Sequence, residues 1–153
     1  MPQTPIRTLI VDDHPGFAEL LALMLATDER VQVAGRARNG AEGVAAAASL
    51  RPDVVLMDLE MPVLDGIEAT RQIVAAAPET RVLVVTGSTS AEDVAGARAA
   101  GAVGYLIKGC PPEKILAAVV EAGRTRQSRR NRLSHLLPIG RGAHTVRVGL
   151  AGA

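Results

Sequence analysis

The sequence predicts an α/β fold, a doubly wound sheet of five parallel strands, on three observations. Asp53-Val54-Val55-Leu56-Met57-Asp58 is a short continuous apolar run between two carboxylates, the pattern of a strand covered on both faces. Four more strand-like runs occur at Ile6–Val11, Val31–Ala37, Arg81–Thr86 and Ala102–Ile107. The stretches between them carry apolar residues at helical spacing. Strands separated by helical crossovers run parallel, and helices then cover both faces of the sheet. Right-handed crossovers make double winding the favoured topology.

Taken in order, Ile6–Val11 ends in Asp12-Asp13-His14-Pro15, and Pro15 suits the first turn of a helix. Phe17, Leu20, Leu21 and Met24 recur there as the predicted inward face. Val31–Ala37 is the second strand and the Ala-rich Gly40–Leu50 the second helix. After the central strand, Pro62 and Gly66 mark a loop, and Asp65-x-x-Glu68 is a capping arrangement for a helix turning Ile67, Thr70, Ile73, Val74 and Ala77 inward. Asp65 is thereby assigned to structure. Ser90-x-x-Asp93 caps the next helix, which Gly96 weakens by about 1 kcal/mol relative to Ala. Pro111-Pro112 opens a last helix packing Ile115, Leu116, Val119 and Val120, with Gly123 where a stop is expected. The flavodoxin-like strand order 2-1-3-4-5 follows, with its crevice at the carboxyl ends of strands 1 and 3.

Length and composition narrow the function. A chain of 153 residues suits one domain with a proper core. Phe17 and Tyr105 are its only aromatics, which argues against a stacking surface for single-stranded nucleic acid. Cys110 is the only cysteine, so neither an intrachain disulfide nor a cysteine zinc site is available. No apolar run reaches membrane-spanning length and the start lacks a signal-peptide core, so a cytoplasmic protein is expected. Charge divides the chain. Residues 1–123 hold ten basic and all sixteen acidic residues, a net charge of −6, whereas the remaining seven basic residues are arginines without an acidic neighbour.

The predicted strand ends share one edge and bring together Asp12-Asp13, Asp58, Thr86 and Lys108. Each has an ordinary structural use alone: a helix cap, a turn, a strand terminus, a surface ammonium. Coincidence of all four at one edge is harder to explain. Three crowded carboxylates repel one another until a cation neutralises them, and a hard oxygen set favours Mg²⁺. Mg²⁺ accepts a phosphate oxygen, while Lys108 and the Thr86 hydroxyl can meet two others. His14 beside the acids reads as exposed rather than as a ligand.

Asp12-Asp13, Asp58 with Met61-Pro62 and Asp65-Gly66, Thr86-Gly87 and Gly104-Tyr105-Leu106-Ile107-Lys108 resemble the receiver domain of bacterial two-component response regulators, a CheY-like fold. The likeness covers residues 5–123. Val11-Asp12-Asp13-His14-Pro15 and Gly104-Tyr105-Leu106-Ile107-Lys108-Gly109 are similar in particular to the NarL/FixJ (LuxR-type) subfamily. The resemblance implies a phosphoacceptor role for Asp58, fed by a sensor histidine kinase. It implies Mg²⁺ held by Asp12, Asp13, Asp58 and the backbone carbonyl of Glu60, phosphoryl contacts from Thr86 and Lys108, and a switch role for Thr86 and Tyr105. Output would pass through the fourth helix, fifth strand and fifth helix, with a second receiver as a candidate partner. Glu60 itself, and Gly109-Cys110-Pro111-Pro112 after Lys108, depart from the usual family pattern.

Residues 124–153 read as a basic, disordered tail too short and too polar for the helix-turn-helix that NarL-type regulators carry. Two rival functions remain. A DNA-binding regulator would use the arginine-rich tail or a truncated output domain, with salt-sensitive affinity. A Mg²⁺-dependent phosphatase with an aspartate nucleophile would need a similar ligand set, but such enzymes usually place the nucleophile after the first strand.

Overall fold

The computed structural model describes the backbone of residues 4–151 and the side chains of residues 4–130 and 132. Its elements are β1 (Ile6–Val11), α1 (Pro15–Ala26), β2 (Val31–Ala37), α2 (Gly40–Leu50), β3 (Val54–Met57), α3 (Gly66–Ala76), β4 (Arg81–Thr86), α4 (Ala91–Ala100), β5 (Gly104–Ile107) and α5 (Pro112–Ala151). All four strand pairings are parallel, in the order β2-β1-β3-β4-β5. That is the predicted doubly wound sheet.

Strand periodicity decides which residues meet which layer. Ile6, Ile10, Val54, Leu56, Leu83 and Val85 face α1 and α5, where Leu21, Leu25, Ile115 and Val119 close the core. Leu9, Val11, Val55, Met57 and Val82 face the other way, onto Ala69 and Ile73 of α3 and the partly buried Val44 and Leu50 of α2. Ala97 of α4 packs with Val84 and Leu59 on the same side. With both faces covered, β3 has no polar residue inside its span.

Three local expectations need correction. On α1, Leu20 is 53% exposed, and the sheet-facing positions are Ala18, Leu21, Ala22 and Leu25; small residues at two of these let the helix lie close to the strands. The fifth strand begins at Gly104 rather than Ala102, because Ala102 N–H donates to Ala97 O (3.0 Å) and closes the end of α4 behind Gly101, whose φ is +112°. The stop expected at Gly123 is not taken. A Cβ there would stand 2.6 Å from three carbons of Ile6, so this glycine serves close approach of α5 to β1 rather than termination.

The helix runs on past Gly123 into the residues expected to begin the tail. Arg126 Nη1 lies 3.0 Å from Asp53 Oδ1, both side chains largely buried, and Gln127 Nε2 donates to Thr4 O at 3.1 Å. Residues expected to begin a disordered tail are thus helical and bonded to the sheet's amino-terminal edge, and the helical backbone continues to Ala151. The side chains of Leu133-Ser134-His135-Leu136-Leu137 lie outside the described residues. No described helix is long and apolar enough to cross a membrane.

Candidate functional site

The carboxyl ends of the strands are held together by backbone hydrogen bonds that extend the sheet one residue further. Asp12 N–H donates to Ala37 O (3.0 Å), Asp58 N–H to Val11 O (3.0 Å) and Lys108 N–H to Thr86 O (2.9 Å). These bonds place Asp12 and Asp58 side by side at the crevice where the strand order reverses.

The loop after Asp58 is built for close approach. A Cβ on Gly66 would stand 1.9 Å from Asp58 O, so only glycine lets α3 begin against the end of β3. Gly66 N–H donates to Leu59 O (3.0 Å), and Asp65 Oδ1 accepts from Glu68 N–H (2.9 Å), the predicted cap. Between them, Leu64 N–H donates to Pro62 O (2.8 Å) across Val63, whose φ is +71°. A γ-turn centred on an exposed valine in the left-handed region is strained.

Charge is concentrated at the floor of the cleft. Asp58 is 3% exposed and Asp12 4%. Lys108 reaches across from the far edge strand, its Nζ 2.9 Å from Asp12 Oδ2 and 3.3 Å from Asp58 Oδ2, and 4.7 Å from the centre of the Phe17 ring. Burial pushes the Asp58 carboxyl above the ordinary range, and the Asp12 charge adds to this; Lys108 and the Thr86 hydroxyl oppose it without prevailing. For Lys108, burial pulls the other way, but hydrogen bonding to Asp12 and the charges of Asp58 and Asp12 outweigh it and raise the ammonium's pKa. The cleft above is an open cavity of about 550 Å³ lined by His14, Phe17, Asp58, Glu60, Gly87 and Lys108 among others.

Asp12, Asp13, His14 and Asp58 each offer a ligand atom, all within 4.8 Å of one another. Asp13 Oδ1 is buried without a hydrogen-bond partner. An orphaned carboxylate oxygen in an oxygen-rich set fits a hard divalent cation. Thr86 is fully buried, and its Oγ1 accepts from Ser88 N–H at 3.4 Å. Tyr105 OH donates to Ser88 O at 3.1 Å, and burial raises the phenol's pKa against that hydrogen bond.

The residues singled out from sequence are therefore gathered in two groups: Asp12, Asp13, Asp58 and Lys108 at the floor, Thr86 and Tyr105 joined through Ser88 beside it. Glu60 is exposed at the mouth. Sequence reasoning missed three participants. His14 is exposed as expected, yet its ring turns onto the acids; Phe17, predicted as core, covers Lys108; Ser88 lies outside every motif quoted. Adjacency to Asp12-Asp13 was the available signal for His14.

Comparison with known proteins bears on the family and the fold. The family model described as "Response regulator receiver domain" matches residues 8–120. The chain is 36% identical over 120 residues to the nitrate/nitrite response regulator protein NarL of Escherichia coli (strain K12), covering 78% of this chain and 56% of that protein. It is 40% identical over 114 residues to the response regulator GacA of Pseudomonas aeruginosa, covering 74% and 53%. It thus spans about half the length of the curated relatives it matches. Among solved structures, the signal receiver domain of the putative response regulator NarL from Mycobacterium tuberculosis superposes with a TM-score of 0.77 at 30% identity, over 80% of this chain and 98% of that one. A CheX-CheY-BeF3-Mg complex from Borrelia burgdorferi is similar at a TM-score of 0.72 and 25% identity, over 76% and 88%. Motifs, strand order and these likenesses converge on one conclusion: the chain belongs to the receiver domain family of two-component response regulators.

Proposed function

We propose that this receiver accepts a phosphoryl group on Asp58 from a phosphohistidine of a sensor histidine kinase. The observation that supports this most is the buried Asp58 carboxylate, bonded to Lys108 and set beside the unpartnered Asp13 oxygen. Asp12, Asp13, Asp58 and the Glu60 carbonyl would hold Mg²⁺, which supplies charge neutralisation for an incoming phosphate. The chain's own groups do the rest. An Asp58 carboxylate oxygen attacks phosphorus as the phosphorus–nitrogen bond to the donor imidazole breaks, its electron pair staying on that nitrogen. Lys108 screens the acceptor's charge and holds an equatorial phosphate oxygen, and the Thr86 hydroxyl donates to another.

The switch follows from Ser88. Drawing Thr86 toward the phosphate disturbs the backbone that also holds Tyr105 OH, freeing the phenol to turn inward. The α4–β5–α5 face then changes, offering a surface to a second receiver or another partner. Moving such an equilibrium from 1:99 to 99:1 takes about 5.5 kcal/mol, within reach of several charge-assisted bonds to one phosphoryl group. The relatives include longer proteins described as transcriptional regulatory proteins, which supports a role in transcriptional control for the whole protein, in the cytoplasm where a kinase can reach it.

Fluoroberyllate with Mg²⁺ tests the switch. The ring resonances of Tyr105, the sole tyrosine, should shift on addition to the wild type and stay fixed in Asp58→Asn. Equal shifts in both proteins would refute the assignment of Asp58.

A further inference from the structure

We propose that His14 is a ligand of the cation site and turns its preference from Mg²⁺ toward later divalent cations that accept imidazole, such as Co²⁺. The proposal rests on the reading of the acidic cluster as a cation site. His14 stands at the amino end of α1, yet its side chain makes no capping bond to the helix. Its backbone N–H is held by Asp12 Oδ1 at 2.8 Å, and Pro15 fixes the residue that follows, so the residue's position is set without the ring. The ring is spent elsewhere. Nδ1 lies 3.0 Å from Asp13 Oδ1, 3.2 Å from Asp12 Oδ1 and 3.9 Å from Asp58 Oδ2.

Those spacings suit a shared ion. Neighbouring ligands in an octahedral shell with bonds of about 2.1 Å are about 3 Å apart, and opposite ones about 4 Å. Nδ1 shares a hydrogen bond with Asp12 Oδ1, but its closer contact, to Asp13 Oδ1, is not one, and that oxygen is left without a partner. Lys108 Nζ lies 3.5 Å from the same nitrogen, and a cation bound among the acids would replace the proton that Nδ1 shares with Asp12. An imidazole nitrogen among three carboxylates adds one borderline donor to a hard oxygen set. Carboxylate and water suit Mg²⁺, whereas imidazole draws the set toward later divalent cations.

Calorimetric titration with Mg²⁺ and with Co²⁺, on the wild type and on His14→Ala, measures the preference. Mn²⁺ electron spin-echo modulation reads a bound ¹⁴N directly. The variant should lose at least about tenfold in Co²⁺ affinity and clearly less in Mg²⁺ affinity, and the ¹⁴N modulation should fall below that of the wild type. His135 and His144 remain in the variant, so any signal they contribute is common to both proteins. An unchanged Co²⁺-to-Mg²⁺ ratio with undiminished modulation would overturn the role of His14 while leaving the cation site standing. A wild type that takes up none of the three ions, matching Asp13→Asn, would overturn the cation site and the proposal together.

Discussion

Asp58 carries a cost that its neighbours impose. Burial and the adjacent Asp12 charge raise its carboxyl pKa in the fold, so the folded chain binds that proton more readily than the unfolded one. The sign follows: protonation favours the fold as pH falls, and ionised Asp58 subtracts stability once pH rises through the folded value. Asp58→Asn should therefore raise the melting temperature near neutral pH by about 2–4 °C, the scale of 1 kcal/mol in a domain this size. The gain should shrink as pH is lowered through the carboxyl's titration, as paired thermal melts across the acid range would reveal. A variant that melts below the wild type at neutral pH would mean that Lys108 more than compensates the acid. Stability and the proposed chemistry oppose each other at this residue, because the desolvation that destabilises the carboxylate would also limit competition from water during phosphoryl transfer to it.

Helices and strands here were legible in proportion to how local their cause is. The runs Ile6–Val11, Val31–Ala37 and Arg81–Thr86 match β1, β2 and β4 residue for residue: β1 and β4 are largely apolar, as buried parallel strands are, and the edge strand β2 alternates loosely. The caps Asp65 and Ser90 were visible for the same reason, each acting three residues away. Gly123 was misread because its purpose is distant: Ile6 lies more than a hundred residues earlier, and nothing near the glycine signals that contact. The Val63 turn was likewise hidden, since a β-branched residue gives no sign in sequence of a positive φ. The packing at Gly123 is open to a double-mutant cycle. Gly123→Ala gains about 1 kcal/mol of helix propensity but drives a methyl into Ile6. It should destabilise the wild type by about 1–2 kcal/mol and become neutral or stabilising beside Ile6→Ala, as chemical denaturation of the four proteins would read. Additive effects would dissociate the glycine from Ile6.

At the scale of the molecule, the sheet has two working edges. Its carboxyl edge gathers the acids and Lys108; its amino edge ties α5 down through Arg126 and Asp53, five residues upstream of Asp58 along β3. The site was readable because its motifs all lie on strand ends, whereas this second edge was not, because an arginine-rich stretch looks the same in sequence whether solvated or docked. A chain ended after Gly123 should be less stable than one ended after Arg132 by about 3 kcal/mol, the cost of leaving a buried carboxylate short of its partner. Equal melting temperatures for the two would place the true boundary at residue 123. The central claim is phosphoryl acceptance by one carboxylate, and intact mass measurement after incubation with acetyl phosphate and Mg²⁺ tests it most directly. The wild type should gain the mass of one phosphoryl group, lost on chelation of the cation before mixing, and Asp58→Asn should gain none. A wild type that stays unmodified, or a variant that takes up phosphate as fast as the wild type, would contradict it.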